Sequence, residues 1–191
     1  VQECVGYCLL REYIIHKALL IVGEGKNGKT TFLELLRAFL NSENVSTISL
    51  QELDSNRFAP AELYGMLANI YPDLDQKALQ STSAFKMTTG ADTLMGEHKY
   101  KGKFRFKNYA KQIFSTNKIP PTPDNTKGFF RRWLLIFMPN EFPPEKADKD
   151  LIKKLTTPDE LSGLLNWALE GLRRLLKQGD FTGSQSEEEI E

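Results

Sequence analysis

Residues 23–30 have the sequence Gly-Glu-Gly-Lys-Asn-Gly-Lys-Thr and match the phosphate-loop pattern Gly-x-x-x-x-Gly-Lys-Ser/Thr in full. In such a loop, backbone N–H groups and the N-terminus of the following helix attract phosphate oxygens. Lys29 is expected to reach the β- and γ-phosphates, and the Thr30 hydroxyl to bind Mg²⁺. We therefore predict a site for ATP and Mg²⁺ formed by Gly23, Glu24, Gly25, Lys26, Asn27, Gly28, Lys29, Thr30 and Thr31.

The same loop leaves two other interpretations open. Gly23, Gly25 and Gly28 also fit the dinucleotide pattern Gly-x-Gly-x-x-Gly, and Glu52 is placed where such a fold binds the ribose. The loop could also be a glycine turn without a ligand. The Lys29-Thr30 pair favours a triphosphate site, because the dinucleotide pattern does not require it.

Two polar residues follow apolar segments that are predicted to be strands. Asp73 comes after Leu67–Tyr71, and we expect it to hold Mg²⁺ with Thr30 or to polarise water. Asn117 ends the strand predicted around Gln112–Ser115, and it is a candidate to orient the water that attacks the γ-phosphate. The alternative for both residues is an ordinary place in a turn.

Two adjacent arginines, Arg131 and Arg132, are predicted at the start of the last strand, Trp133–Met138. Neighbouring residues on a strand point to opposite faces, so one arginine can pair internally while the other faces outward. An outward arginine is suited to act as an arginine finger on the nucleotide of a neighbouring subunit.

The segment from His98 to Lys111 contains basic residues and no acidic residue. Five of the basic residues alternate with other residues: Lys99, Lys101, Lys103, Arg105 and Lys107. This spacing predicts a β-ribbon with charge on one side and Gly102 at its tip. It indicates either a solvated edge strand or a surface that follows a single-stranded nucleic-acid backbone, with Tyr100 available to stack on a base.

Strands that alternate with helices predict an α/β fold with a mostly parallel sheet. The predicted strands are Lys17–Val22, Val45–Leu50, Leu67–Tyr71, Gln112–Ser115 and Trp133–Met138, and the first helices are Val1–Tyr13 and a helix that follows Lys29 and ends near Asn41. Two amphipathic helices, Asp150–Leu155 and Glu160–Lys177, are expected to cover the sheet. The inward face of the second comprises Leu161, Leu164, Leu165, Ala168, Leu172 and Leu175.

Composition limits the class of protein. The chain has 191 residues, 40% of them hydrophobic, and 25 basic against 25 acidic residues. It can therefore bury one core, and the balanced charge excludes a histone-like protein. No apolar run approaches the roughly 18 residues of a membrane span, so we expect a soluble, cytoplasmic protein. Cys4 and Cys8 are expected to be buried free thiols.

The order and spacing of these motifs resemble superfamily 3 helicases, most closely the helicase part of phage, plasmid and poxvirus primase-helicases. Besides the phosphate loop and Asp73, the resemblance rests on Lys-Met-Thr-Thr-Gly-Ala-Asp at 86–92, Ile-Phe-Ser-Thr-Asn at 113–117 and Phe-Arg-Arg at 130–132. It covers residues 5–142. It implies an AAA+-like P-loop NTPase core with a five-stranded sheet, a β-hairpin insertion and C-terminal helices, assembled as a hexameric ring that moves 3′ to 5′ on single-stranded DNA.

Transferred by position, the resemblance assigns roles to individual residues. Lys29 and Thr30 belong to the Walker A motif, Asp73 to Walker B, Asn117 to motif C, and Arg132 or Arg131 to the finger. Lys86 and Asp92 belong to the B′ motif, and the following hairpin would line the channel for DNA. The predicted DNA contacts are Lys86, His98, Lys99, Tyr100, Lys101 and Lys103.

One departure from the family concerns Walker B. Many members have two adjacent acids there, whereas this chain has Pro72-Asp73, with Asp75 as a candidate second acid. The predicted organisation is a helix in 1–16, an ATPase core in 17–142, C-terminal helices in 143–178 and a polar tail or linker in 179–191. A fused or associated primase is the expected partner besides DNA. Two alternative functions remain, a small-molecule phosphotransferase and a non-catalytic nucleotide-binding module of replication initiation.

Overall fold

The computed structural model describes residues 1–74, 82–118, 124, 126–143, 145 and 147–184. Asp75, the candidate second acid, and the last part of the predicted tail, 185–191, lie outside the described residues. In chain order the α-helices are α1 Gln2–Tyr7, α2 Lys29–Leu40, α3 Leu50–Ser55, α4 Ser83–Thr88, α5 Lys127–Phe130, α6 Leu151–Leu155 and α7 Pro158–Gln178. Short 3₁₀ helices span Ser42–Asn44 and Ala59–Leu63.

A parallel five-stranded sheet forms the centre of the fold, as the sequence predicted. Its strands are β1 Ala18–Val22, β2 Val45–Ser46, β3 Ala68–Tyr71, β6 Lys111–Thr116 and β7 Trp133–Phe137, and their order is β2-β3-β6-β1-β7. A separate antiparallel hairpin consists of β4 Thr93–Glu97 and β5 Lys103–Lys107. The predicted α/β class with a hairpin insertion is confirmed.

Strand β1 lies between β6 and β7 and is buried on both faces of the sheet. Leu20 is opposite Phe114 on one side and Leu135 on the other, and all three side chains are buried. Because the strands are parallel, the segments that follow β1, β3, β6 and β7 meet at one edge of the sheet. This edge brings the predicted phosphate loop, Asp73 and Asn117 together.

The first helix is shorter than predicted and ends at Tyr7 instead of Tyr13. The Tyr7 hydroxyl donates a hydrogen bond to the carbonyl of Ile15 (3.0 Å) and accepts one from the backbone N–H of Ile15 (2.8 Å). These bonds fold the chain back after α1. Leu9 and Leu10, whose spacing suggested a longer helix, are half-buried in this return, and Tyr13 is buried.

The second strand is also shorter than predicted, because α3 begins within the segment expected to be a strand. Ser49 and Glu52 form a reciprocal capping box at the start of α3. The Asn69 side chain takes over the missing ladder contacts: it accepts from the N–H of Ile48 (2.8 Å) and donates to its carbonyl (2.9 Å). Glu52 therefore caps a helix, and it does not lie near the end of a strand, the position on which the dinucleotide interpretation depended.

The C-terminal helix α7 packs closely against α1. A Cβ atom on Gly6 would lie 2.3 Å from the carbonyl oxygen of Ala168, and one on Gly171 would lie 2.7 Å from the backbone of Gln2. Ala168, Leu172 and Leu175 are buried as predicted, but Leu165 is exposed, because the buried face follows the contact with α1.

Cys4 and Cys8 are both buried and neither forms a disulfide, which confirms the prediction of free thiols. Burial raises the pKa of Cys4 to about 11 and that of Cys8 to about 12, so both thiols stay protonated near neutral pH. Among the described residues, no helix is long and apolar enough to cross a membrane.

Candidate nucleotide site and cationic hairpin

The phosphate loop follows β1 directly and leads into α2. Gly25 (φ 119°) and Gly28 (φ 84°) adopt the left-handed backbone that favours glycine, and Gly28 is the N-cap of α2. The N–H groups at the start of α2 and those of the loop are thereby available to an anion at this edge of the sheet.

Two side chains of the loop contact each other and hold its shape. Lys29 Nζ donates to Asn27 Oδ1 (2.9 Å) and to the carbonyl of Gly23. Asn27 is only 7% exposed, and its Nδ2 donates to the carbonyl of Met138 (3.0 Å), just after β7. A Cβ atom on Gly23 would lie 1.9 Å from Asn27 Nδ2, so glycine is required where Asn27 crosses the loop.

Asp73 and Asn117 lie where the sequence placed them, after β3 and β6, and both side chains are exposed. The backbone N–H of Asp73 donates to Ser115 Oγ (3.3 Å), and Asp73 has a positive φ of 61°. Ser115, which the sequence analysis missed, thus fixes the turn that carries Asp73. The sequence signal for Ser115 was its place at the end of a predicted buried strand, two residues before Asn117.

A cleft of about 980 Å³ brings these groups together. Its lining includes most of the predicted nucleotide ligands: Gly25, Lys26, Asn27, Gly28, Lys29, Thr30 and Thr31, together with Asp73, Ser115 and Asn117. Gly23 and Glu24, which were also predicted, instead face a smaller cleft of about 410 Å³ that includes Glu141.

The residues of the large cleft fit the predicted metal ion. The Thr30 hydroxyl and the Asp73 carboxylate line the same space, and both are oxygen donors of the kind Mg²⁺ prefers. Mg²⁺ usually takes one or two protein ligands and completes its shell with phosphate and water oxygens. Two oxygen donors beside a phosphate loop are therefore sufficient.

The other end of the cleft is apolar, and its residues were not predicted from the sequence. The lining there consists of Phe32 and Leu35 of α2, Phe142 after β7, and Leu151 and Leu155 of α6. The backbone N–H of Phe142 donates to the carbonyl of Lys26 (2.7 Å), which ties this segment to the phosphate loop. Phe142 could have been suspected because it follows a strand at the edge where the loop lies.

The arginines lie in the turn between α5 and β7, directly before the strand, so the alternation of faces expected of neighbours within a strand does not apply to them. The N–H of Ala18, the first residue of β1, donates to the carbonyl of Arg132. The pair therefore lies beside the amino end of β1, whereas the phosphate loop follows its carboxyl end. The five residues of β1 separate the arginines from the loop by about 16 Å. Neither arginine reaches the cleft of its own chain.

The two arginines differ in exposure. Arg131 is exposed, whereas Arg132 is half-buried, and its Nη1 donates to the carbonyl of Gly128. Within the described ranges, Arg132 Nε is buried without a hydrogen-bond partner. Burial, and then the charge of Arg131, lowers the pKa of Arg132, while nearby Asp92 opposes this change.

The cationic hairpin has a different register from the predicted ribbon. Its first strand is Thr93–Glu97, so Lys99 and Lys101 lie in the turn with Gly102, and only Lys103 and later cations lie on a strand. The pattern was misleading because alternation continued through the turn. The turn still presents the predicted cations to solvent.

Aromatic rings accompany the cations of the turn. Tyr100 is 94% exposed with a φ of 65°, and Lys99 Nζ lies 5.2 Å from the centre of its ring. His98 stacks on Phe104 at 5.3 Å. The exposed tyrosine is thus held outward by the turn instead of packing against the hairpin.

Lys86, another predicted DNA contact, lies apart from the turn on α4. Its Nζ is 2.5 Å from Asp124 Oδ2 and 3.1 Å from Thr126 Oγ1. Burial alone would raise the pKa of Asp124, but hydrogen bonds from Lys86, Thr126 and Thr82 hold it well below its usual range. Lys86 therefore already has an ionised partner within this chain.

The fold and the cleft together define a P-loop α/β domain. The chain is similar to the apo C-terminal region of NrS-1, with TM-scores of 0.70 and 0.65, 18% and 17% identity, and coverage of 98% and 94% of this chain but 45% and 47% of those chains. It is also similar to JCV helicase with a thiazolopyridine acetamide bound, with a TM-score of 0.54, 16% identity, and coverage of 93% of this chain and 61% of that chain. At these identities the likeness shows a shared fold.

The family can be stated directly. A family model described as a family of unknown function (DUF5906) matches residues 21–132, more than half of the chain, and the chain belongs to this family. The matched range begins in β1, includes the phosphate loop and ends at Arg132. The chain spans about half the length of the solved structures that it resembles.

Proposed function

We propose that this chain is the ATP-hydrolysing motor domain of a DNA helicase that moves along single-stranded DNA. The observation that carries the proposal is the gathering of Lys29, Thr30, Asp73 and Asn117 in one cleft, in a chain that also exposes a cationic hairpin. The fold shared with the helicase structure supports it. Replication of a virus, plasmid or other mobile element is the setting we infer.

Each group in the cleft has a distinct task in hydrolysis. The loop N–H groups and Lys29 hold the phosphates and meet the charge that develops on the transferred phosphoryl group. Thr30 and Asp73 would hold Mg²⁺, which bridges phosphate oxygens and offsets their charge. Asn117 would orient the water that attacks the γ-phosphorus, so that ADP and inorganic phosphate leave.

An arginine finger supplied by a neighbouring subunit completes the proposed site. Arg131 and Arg132 lie about 16 Å from the phosphate loop of their own chain, at the other edge of the sheet. They can act only if one subunit turns that edge toward the cleft of the next. A head-to-tail contact of this kind forms a ring when the rotation between subunits closes, and we propose a closed hexamer.

The hairpin is the proposed contact with DNA. Lys99, Lys101 and Lys103 supply positive charge for phosphates, and the exposed ring of Tyr100 offers a stacking surface for a base. Together with His98, they form the surface that would follow the strand as nucleotide is hydrolysed. A primase, fused or associated, is the proposed partner beyond DNA.

The deciding experiment measures phosphate release from ATP by the purified chain, with Mg²⁺, in the presence and absence of single-stranded DNA. We expect hydrolysis that DNA stimulates. ATP consumption that ignores DNA and transfers the γ-phosphoryl group to a small acceptor, with ADP but no inorganic phosphate released, would support a phosphotransferase instead. ATP binding without phosphate release would support a nucleotide-binding module of replication initiation.

A further inference from the structure

The two ends of the large cleft differ in chemistry. In the strand order β2-β3-β6-β1-β7, the polar residues Asp73, Ser115 and Asn117 belong to β3, β6 and the segments after them, on one side of the phosphate loop, and Phe142 follows β7, on the other side. The remaining lining comprises apolar side chains of α2 and α6, namely Phe32, Leu35, Leu151 and Leu155, and the charged residue Asp148. A ligand that fills the cleft therefore needs a charged part and a flat or apolar part.

Phe142 is the aromatic residue of this apolar end with the most open surface. It is 52% exposed, although its backbone N–H is fixed to the carbonyl of Lys26 at 2.7 Å. One edge of its ring lies 3.9 Å from the position that a Cβ atom on Gly28 would take. The ring is thus held beside the phosphate loop, in the lining of the cleft, with about half of its surface open to solvent.

The orientation of a bound triphosphate follows from the polar end. Its γ-phosphate must face Asp73 and Asn117 for those residues to act on it, so the α-phosphate and the nucleoside extend the other way. We propose that Phe142 is the stacking surface for the base of the bound nucleotide, and that Leu151 and Leu155 of α6 complete the base pocket. This inference rests on the proposed function, because it assumes that the loop binds a nucleoside triphosphate.

The position of α6 against the cleft is stabilised by a local ion pair. Asp148 Oδ2 lies 2.6 Å from Lys154 Nζ, and Asp148 Oδ1 accepts from the N–H of Asp150 (3.0 Å). Both carboxylate oxygens of Asp148 are therefore engaged in ordering the start of α6, although the residue lines the cleft. Stacking and apolar contact are the interactions that we assign to the base.

Calorimetric titration of the purified chain with ATP and, separately, with inorganic tripolyphosphate tests the assignment, with Mg²⁺ in both titrations. Stacking of a base on an aromatic side chain accounts for a roughly 5- to 100-fold difference in affinity when that side chain is removed. We expect F142A to weaken ATP binding in this range and to leave tripolyphosphate binding within about twofold of wild type. The F142W variant, which keeps an aromatic face, should retain ATP affinity.

Tyr64 supplies a matched control, because it is an aromatic residue of similar exposure that lies outside the lining of both clefts. Y64A should bind ATP as the wild type does. Unchanged ATP affinity in F142A, or a loss shared equally by tripolyphosphate, would overturn the stacking role. If the wild type binds neither ligand, the proposed nucleotide site itself is wrong; if it binds both, only the base contact is under test.

Discussion

Lys29 Nζ lies 2.9 Å from Asn27 Oδ1, and the other end of the Asn27 amide donates to the carbonyl of Met138. The Lys29 ammonium is thus connected through one buried amide to the segment that follows β7. Asn27 holds the loop against this segment, and in the proposed nucleotide complex Lys29 exchanges its neutral acceptors for phosphate oxygens.

Replacing Lys29 with alanine should abolish ATP hydrolysis, because the ammonium meets the charge that develops on the transferred phosphoryl group. Loss of such a group lowers turnover by about 100-fold or more. Phosphate release by K29A measures the effect, and K118A is the control, since Lys118 is an exposed lysine outside the lining of the large cleft. Wild-type turnover in folded K29A would refute the assignment of the site.

Replacing Asp73 with asparagine should preserve nucleotide binding and stop hydrolysis. The phosphate loop is unaffected by the change, whereas the charge that would hold Mg²⁺ or polarise water is removed. Calorimetry with ATP and phosphate release report the two steps separately. If D73N hydrolyses ATP normally, another acid must act, and Asp75 is the first to replace.

Arginine variants test whether the site is shared between subunits. An R132A chain should bind ATP yet suppress hydrolysis by wild-type chains when the two are mixed, because each variant subunit withholds a finger from its neighbour. R131A is tested in parallel, since Arg131 is the more exposed of the two. If ATP hydrolysis by the mixtures falls only in proportion to the fraction of variant chains, for both R131A and R132A, the result would contradict a shared site.

The hairpin variant K99A/K101A/K103A should bind single-stranded DNA more weakly, with little dependence on sequence. Each lost phosphate contact should reduce the slope of log K against log salt by about 0.7, so three contacts amount to about 2. The control R11A/R173A/K177A removes the same charge from exposed positions on other elements. Equal salt dependence in the two variants would show that the hairpin is only a solvated edge.

Glu3 should make the stability of the fold depend on pH. It is 4% exposed and accepts hydrogen bonds from the N–H of Thr182 (2.8 Å) and from Arg174 Nε (2.6 Å). Burial alone would raise the pKa of Glu3, but the bonds from Thr182 and the charge of Arg174 outweigh it and lower the pKa below its ordinary 4.5.

Because the folded state lowers this pKa, the stabilisation is complete above pH 4.5 and is lost as the pH falls below that value. At pH 7 the free energy of unfolding of E3Q should be about 2 kcal/mol lower than that of the wild type, which is the typical contribution of a charged hydrogen bond. E3Q should also lose less stability than the wild type on acidification. Urea unfolding of both proteins from pH 7 to about pH 3 measures this difference. If the free energy of unfolding falls equally with pH in both proteins, other carboxylates cause the acid sensitivity.

The sheet and its polar end were predictable because the strands are largely apolar runs, and the runs of β3 and β6 are followed closely by Asp73 and Asn117. Asp73 and Asn117 needed only the rule that parallel strands end at the same edge. The short β2 was not predictable, since its ladder contacts come from the Asn69 side chain, which is distant in sequence from Ile48. A pattern of residue types does not show that a side chain replaces backbone hydrogen bonds of the sheet.

Other differences arise where local patterns continue past the end of an element. Lys99 and Lys101 keep the alternation of a strand while lying in a turn. The position of the arginines depends on the pairing of β7 with β1. The spacing of residues in the sequence does not reveal this pairing. Phe142 joins the cleft through one backbone hydrogen bond to Lys26, and only the folded chain shows it.

The hydrogen bonds that Thr182 donates to the Glu3 carboxylate place these two residues, near the two ends of the described range, side by side. A short glycine-rich linker could therefore join residues near 3 and 182 without stretching the fold, and a new start could be opened in an exposed turn such as the one at Tyr100. A circular permutant of this kind would keep the sheet order and the nucleotide cleft intact. It would also place the two strands of the hairpin, β4 and β5, near opposite ends of the new sequence, so that their pairing would depend on the rest of the fold.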